Sequence, residues 1–224
     1  MILAVVVAVV GVSSAMAQVA PDSSERTGYR GLFAAADRGD IVTLQKLLAA
    51  GESPAARDGR GRTPLHVAAH AAQGAAFRPL VAGGADPNAL DLDRYDIVTI
   101  AAVANDIPTL EAALAAGCSP RNVTSRYDGT ALIAAAHLGH ADVVRTLLRA
   151  GAPVDHVNNL GWTALIEAVV LGDGGARHLA TLRALVDAGA DVNRPDRAGR
   201  SPLALARSRG YAALADVLAS AGAR

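Results

Sequence analysis

His66 and His70 lie four residues apart, the spacing that sets two imidazoles on one helix face and toward a common zinc ion. A zinc site needs a third and a fourth ligand, and none accompanies them. His137 and His140 lack such partners too. Cys118 is the sole thiol, with nothing nearby in sequence to lower its pKa, so a buried, inert sulfur is expected rather than a nucleophile. One cysteine also excludes an intrachain disulfide framework. Asp173-Gly174-Gly175 lacks the Lys and the Ser or Thr of a phosphate loop. Asn122-Val123-Thr124 is a formal glycosylation sequon, relevant only in a eukaryotic secretory pathway. No nucleophile, base and orienting group can be proposed together, so no enzyme, metal or cofactor is expected.

The elements that hold these residues follow from self-similarity. Taking Thr63-Pro64-Leu65-His66-Val67-Ala68-Ala69 as a ruler, equivalent segments begin at Arg30, Asp96, Thr130, Thr163 and Ser201, with successive spacings of 33, 33, 34, 33 and 38. The third position is always apolar (Leu32, Leu65, Val98, Leu132, Leu165, Leu203), and small pairs such as Ala35-Ala36 and Ala135-Ala136 follow. Small residues permit close helix approach while Leu fills the space between layers. A Gly or Asn then breaks the first helix (Gly39, Asn105, Gly139, Gly172, Gly210), and a later Gly ends the second (Gly51, Gly84, Gly117, Gly151, Gly189).

Thr63 to Ala68 matches the T-P-L-H-x-A signature, and Thr130-Ala131-Leu132 and Thr163-Ala164-Leu165 are variants of it. The chain therefore resembles ankyrin repeat proteins over roughly residues 28–224, and in particular the bacterial, signal-bearing branch of that family. The resemblance implies an all-α solenoid of helix-turn-helix units with short hairpin-like tips. It also implies a structural role for Thr63 and His66 and a function in protein interaction. The repeats are expected at about 28–58, 59–91, 92–124, 125–158, 159–196 and 197–224. Pro79 should kink or shorten its helix, whereas Pro108 falls in a first turn, where proline is tolerated. Five extra residues around 172–177 predict a protruding loop.

Ile2 to Val12 is an apolar run ending in Ser13-Ser14-Ala15-Met16-Ala17, the order of a secretory signal with cleavage after Ala17. No Lys or Arg precedes the run. A periplasmic or secreted protein is expected, with 18–27 a flexible polar lead-in and no membrane insertion of the mature chain. Apolar residues make up 51% of the sequence and aromatic ones 3%, ample for a core of small, closely stacked helices. Formal net charge is zero, so no bulk field draws the protein to nucleic acid or an anionic membrane.

Tyr95, Tyr127 and Trp162 fall in the tips of three consecutive repeats, beside Arg94, Arg126, Asn158 and Asn159. Aromatic and Arg side chains are the usual anchors of binding hot spots. Flanking tips add Arg60, Arg62, Arg197 and Arg200, and the fourth first helix adds His137 and Leu138. This set is the expected surface for a partner protein bearing acidic and apolar groups, held by a monomeric adaptor. The competing reading is that the residue before each signature Thr packs on the next tip. A small-ligand or metal sensor using the 172–177 loop is the alternative function, and a hydrolase a remote one.

Overall fold

The computed structural model describes residues 18–224, and the signal peptide expected over 1–17 lies outside the described residues. The chain runs α1 (Ser23–Gly28), α2 (Gly31–Arg38), α3 (Ile41–Ala49), α4 (Pro64–His70), α5 (Phe77–Ala82), α6 (Ile97–Val103) and α7 (Ile107–Ala115). It continues through α8 (Ala131–Leu138), α9 (Ala141–Arg149), α10 (Ala164–Val170), α11 (Ala176–Asp187), α12 (Pro202–Ser208) and α13 (Ala212–Ser220). The first helices of successive repeats, α2, α4, α6, α8, α10 and α12, stack in one row. Their antiparallel partners, α3, α5, α7, α9, α11 and α13, form a second row behind them. Extended pairing among the described residues is limited to one antiparallel bridge, Thr124–Gly129, and no described helix is long and apolar enough to cross a membrane.

Each position that opens a repeat in the sequence is the N-cap of a first helix. Asp96, Thr130, Thr163 and Ser201 accept the N–H three residues on, satisfying a donor that the helix itself cannot use. Arg30 has no such side chain, and there the Glu52 carboxylate takes the Leu32 N–H instead at 2.7 Å. Behind the caps, Leu32, Ala35, Ala36, Ala68, Ala102, Leu132, Ala135 and Ala136 are sealed from solvent in one continuous core. Truncating a leucine such as Leu132 to Ala would cost about 2–5 kcal/mol, because the tight neighbours cannot collapse fully.

The first helices turn out through the left-handed region, at Gly39 and Gly139 with φ of 64° and 72°. Ala72 occupies that region in the second repeat at φ 57°, a strained conformation for a residue with a Cβ. The same repeat carries Pro79, and its second helix is shortened as expected: a 3₁₀ turn over Gly74–Ala76 leads into a six-residue α5, with Pro79 in the first turn.

Two expectations are corrected. The 18–27 segment is not a uniformly flexible lead-in, because Ser23–Gly28 is helical. Asp22 and Glu25 close a reciprocal capping box, and Arg26 pairs with Asp37 at 2.7 Å, tying the helix to α2. Nor is 172–177 a free protruding loop. α11 has twelve residues where α9 and α13 have nine, so much of the insertion extends that helix. The rest is fastened down by Tyr211, whose hydroxyl donates to the Gly172 carbonyl at 2.9 Å, and by His178, 2.8 Å from Asp173.

Candidate functional site

Four tips close alike: Asp58, Asp91, Asn158 and Asp196 each donate their N–H to the carbonyl four residues on, at 3.0 Å. Each side-chain Oδ1 also accepts the N–H of that same residue, Arg62, Tyr95, Trp162 or Arg200. The tip at 124–129 is one residue longer and closes by Thr124 N–H to Gly129 O at 2.8 Å. The first four tips are then joined to one another, Leu92 N to Arg60 O, Ser125 N to Arg94 O and Asn159 N to Tyr127 O, at 2.9–3.0 Å. The result is a ledge of fixed backbone along one edge of the first-helix row.

The expected contact residues divide on this ledge. Arg60, Arg94, Arg126, Asn159, Arg197 and Arg200 are exposed. Tyr127 and Trp162 are half-buried, with Trp162 packed on the core. His137 and Leu138 sit at the end of α8, partly covered. Two residues do not lie on the exposed tip surface. Arg62 is 1% exposed: its Nε donates to Asp58 at 2.7 Å, and its Nη groups donate to Glu25 and to the Val19 carbonyl. Tyr95 is 6% exposed, sunk in the core with its phenol pKa raised by burial. Both occupy the position just before an N-cap; the N-terminal segment covers Arg62, and the 124–129 tip of the following repeat lies beside Tyr95. Asn158 is likewise buried, spending its Nδ2 on Glu167 at 2.9 Å.

The histidines act as staples. Thr63 donates its N–H to His66 Nδ1 at 3.1 Å, so Nδ1 is unprotonated and Nε2–H donates to the Tyr95 carbonyl at 3.0 Å. Burial, the larger influence, depresses the His66 pKa, in keeping with that neutral form. His140 and His178 likewise donate to Ala102 O and His137 O of the preceding repeat, at 3.0 and 2.9 Å. Those nitrogens of His66, His140 and His178 are engaged in joining repeats. Cys118 is buried, and its thiol is pushed up to about 12, chiefly by burial and then by Asp96 and Asp86, which disfavours the nucleophilic thiolate.

Between α6 and α8 the row of first helices opens into a cleft of about 170 Å³, walled by Tyr95, Thr99, Val103, Ile133, Ala134, His137 and Leu138 and closed by the 124–129 tip. Behind His137, 3.3 Å from its Nδ1, lies the carboxylate of Glu167, completely buried. Sequence reading passed over Glu167. The signal was present: the equivalent positions hold Val67, Ile100, Ala134 and Leu205, so an acidic residue interrupts an otherwise apolar column.

Comparison with known proteins agrees with this geometry. Residues 98–196 match the model described as ankyrin repeats (3 copies), and residues 60–92 match the ankyrin repeat model. The chain is 35% identical over 190 residues to the ankyrin repeat protein YahD of Escherichia coli K12, covering 84% of this chain and 94% of that protein. An ankyrin repeat domain from Acinetobacter baumannii AYE superposes with a TM-score of 0.79 at 41% identity, over 86% of this chain and 98% of that one. The ankyrin repeat domain of Bcl-3, a member of the IkappaB family, gives 0.78 at 30% identity over 88% of each chain.

Proposed function

The chain belongs to the ankyrin repeat family, and from that premise we propose that it is a non-catalytic adaptor of the bacterial cell envelope that holds a partner protein in its concave groove and on its tips. Ankyrin repeats generally serve as protein-interaction scaffolds and are typically non-catalytic. The observation that carries the reading is the ledge of mutually bonded tips, which presents Arg60, Arg94 and Arg126 from backbone already fixed in place, with Arg197 and Arg200 exposed on the next, internally closed tip. A preorganised surface loses little entropy on binding, and arginine is favoured at hot spots. The partner surface is accordingly acidic with apolar elements.

Crosslinking and pull-down from envelope extracts test this. Arg94→Ala with Arg126→Ala should lower capture of the recovered partner at least tenfold while leaving the fold intact. Undiminished capture would overturn the assignment of the tips. Export has its own test: fractionation should place the protein in the periplasm or medium with Gln18 as its first residue, and a cytoplasmic chain retaining Met1 would refute it.

A further inference from the structure

The cleft between α6 and α8 has a volume of about 170 Å³. That is close to the ~150 Å³ at which an apolar protein cavity takes up benzene, so one six-membered ring suits it. Val103, Ile133, Ala134 and Leu138 supply apolar walls. His137 adds a polar requirement. Its Nδ1 lies 3.3 Å from Oε2 of the buried Glu167, which holds the proton on that nitrogen. The other nitrogen, Nε2, is then an acceptor, has no partner among the described residues and is not sealed from solvent. No carboxylate lines the cleft, so an arginine or lysine head would find no counter-charge there. A phenylalanine would cover Nε2 and leave it unpaired. A ring bearing a hydroxyl donor meets both the shape and the acceptor.

We propose that this cleft is a receptor for one phenolic ring, supplied by a tyrosine side chain of the partner protein. The proposal rests on the partner-binding reading above and names what the partner inserts. Val103, Ile133 and Leu138 hold the ring, and the hydroxyl donates to His137 Nε2, with Glu167 fixing the tautomer.

The test is a ¹H–¹⁵N correlation titration of the purified protein with p-cresol, toluene and 3-methylindole. p-Cresol should shift the amides of Thr99, Val103, Ala134 and Leu138 and bind about fivefold more tightly than toluene, as one net hydrogen bond requires. N-acetyl-tyrosine methylamide should compete for the same site. Ala134→Phe, which fills the cleft from a partly exposed position, should abolish all binding, and His137→Leu should equalise p-cresol and toluene. If His137→Leu does not fold, the plugged variant and the ligand ratio decide alone. The proposal falls if p-cresol gives no localised shifts, if toluene or 3-methylindole binds as tightly, or if binding survives Ala134→Phe. It also falls if the tyrosine amide fails to compete, which would point to a free phenol. Because no partner is present, a negative titration leaves arginine-dependent capture standing. Failed capture beside a positive titration condemns the groove reading instead.

Discussion

Replacing Arg62 with Met separates scaffold from contact surface. The guanidinium is 1% exposed and bridges Asp58, Glu25 and the carbonyl of Val19, so it fastens the N-terminal segment to the second repeat. Removing one partner of a buried ion pair costs about 3–5 kcal/mol when the other is left stranded. Here the stranding is incomplete. Asp58 keeps the Tyr29 hydroxyl at 2.8 Å and the N–H groups of Arg60 and Arg62 at 2.9 Å, and Glu25 is 28% exposed and can turn to water. A loss of about 2 kcal/mol is therefore expected, confined mostly to the N-terminal end because repeat stacks sum local terms. Urea unfolding should register it, and hydrogen exchange should show α1 losing protection while α8 to α13 keep theirs. Acid should narrow the difference. Burial pushes the Asp58 carboxyl up, but the hydrogen bonds from Arg62 and Tyr29 and from backbone outweigh it and hold the pKa below its usual value. That contribution is fully present above about pH 4, the unfolded value, and is lost as pH falls through the lower folded one. Without Arg62 the folded pKa rises toward the unfolded one, so the variant should lose less stability than the wild type as pH falls below about 4, and the gap between them should shrink. The reasoning fails if Arg62→Met changes stability by less than about 0.5 kcal/mol with α1 still protected. It fails equally if the variant reduces partner capture as much as Arg94→Ala does.

His70 is held down to about 4, first by burial and then by the charges of Arg62, His66 and Arg26. The unfolded chain gains a proton near pH 6.5 that the fold refuses, so stability is full above that pH and should fall by up to about 3 kcal/mol toward pH 4. His70→Gln should flatten this slope in urea titrations, and an unchanged slope would exclude His70 as its source. Ala72→Gly should raise stability by about 1 kcal/mol, since an exposed Ala held at φ 57° gains by losing its Cβ; a loss on thermal melting would show that the methyl packs usefully. Cys118 should resist a thiol reagent at pH 8 in the native protein and react promptly in urea, and rapid native labelling would contradict its burial.

Most of the repeat architecture was legible because its determinants are local. A cap bonds three residues ahead and a glycine turns the chain where it stands, so both recur in the sequence at the period of the fold. The helix over Ser23–Gly28 was missed although Asp22 and Glu25 spell a capping box, because six residues show no apolar periodicity. Its anchorage comes from Asp37 and Arg62, remote in the chain. The insertion near 172–177 was visible as a change of spacing. That much of it lengthens α11 depends on α9 and α13 offering a row to lie on.

By itself the sequence determined the period, the helix starts and stops, and the column in which each side chain stands. Only the tertiary structure decided which members of a column meet solvent. Arg60 and Arg62 are two residues apart and both face Glu25, yet one is exposed and the other sealed under the N-terminal segment. Tyr95 is sunk immediately before its N-cap, while Tyr127, three residues before its own, stays half-exposed. Exposure is a property of what the neighbouring repeat lays over a residue. No local pattern encodes that, so stacking decided which of these similar residues remain available for recognition.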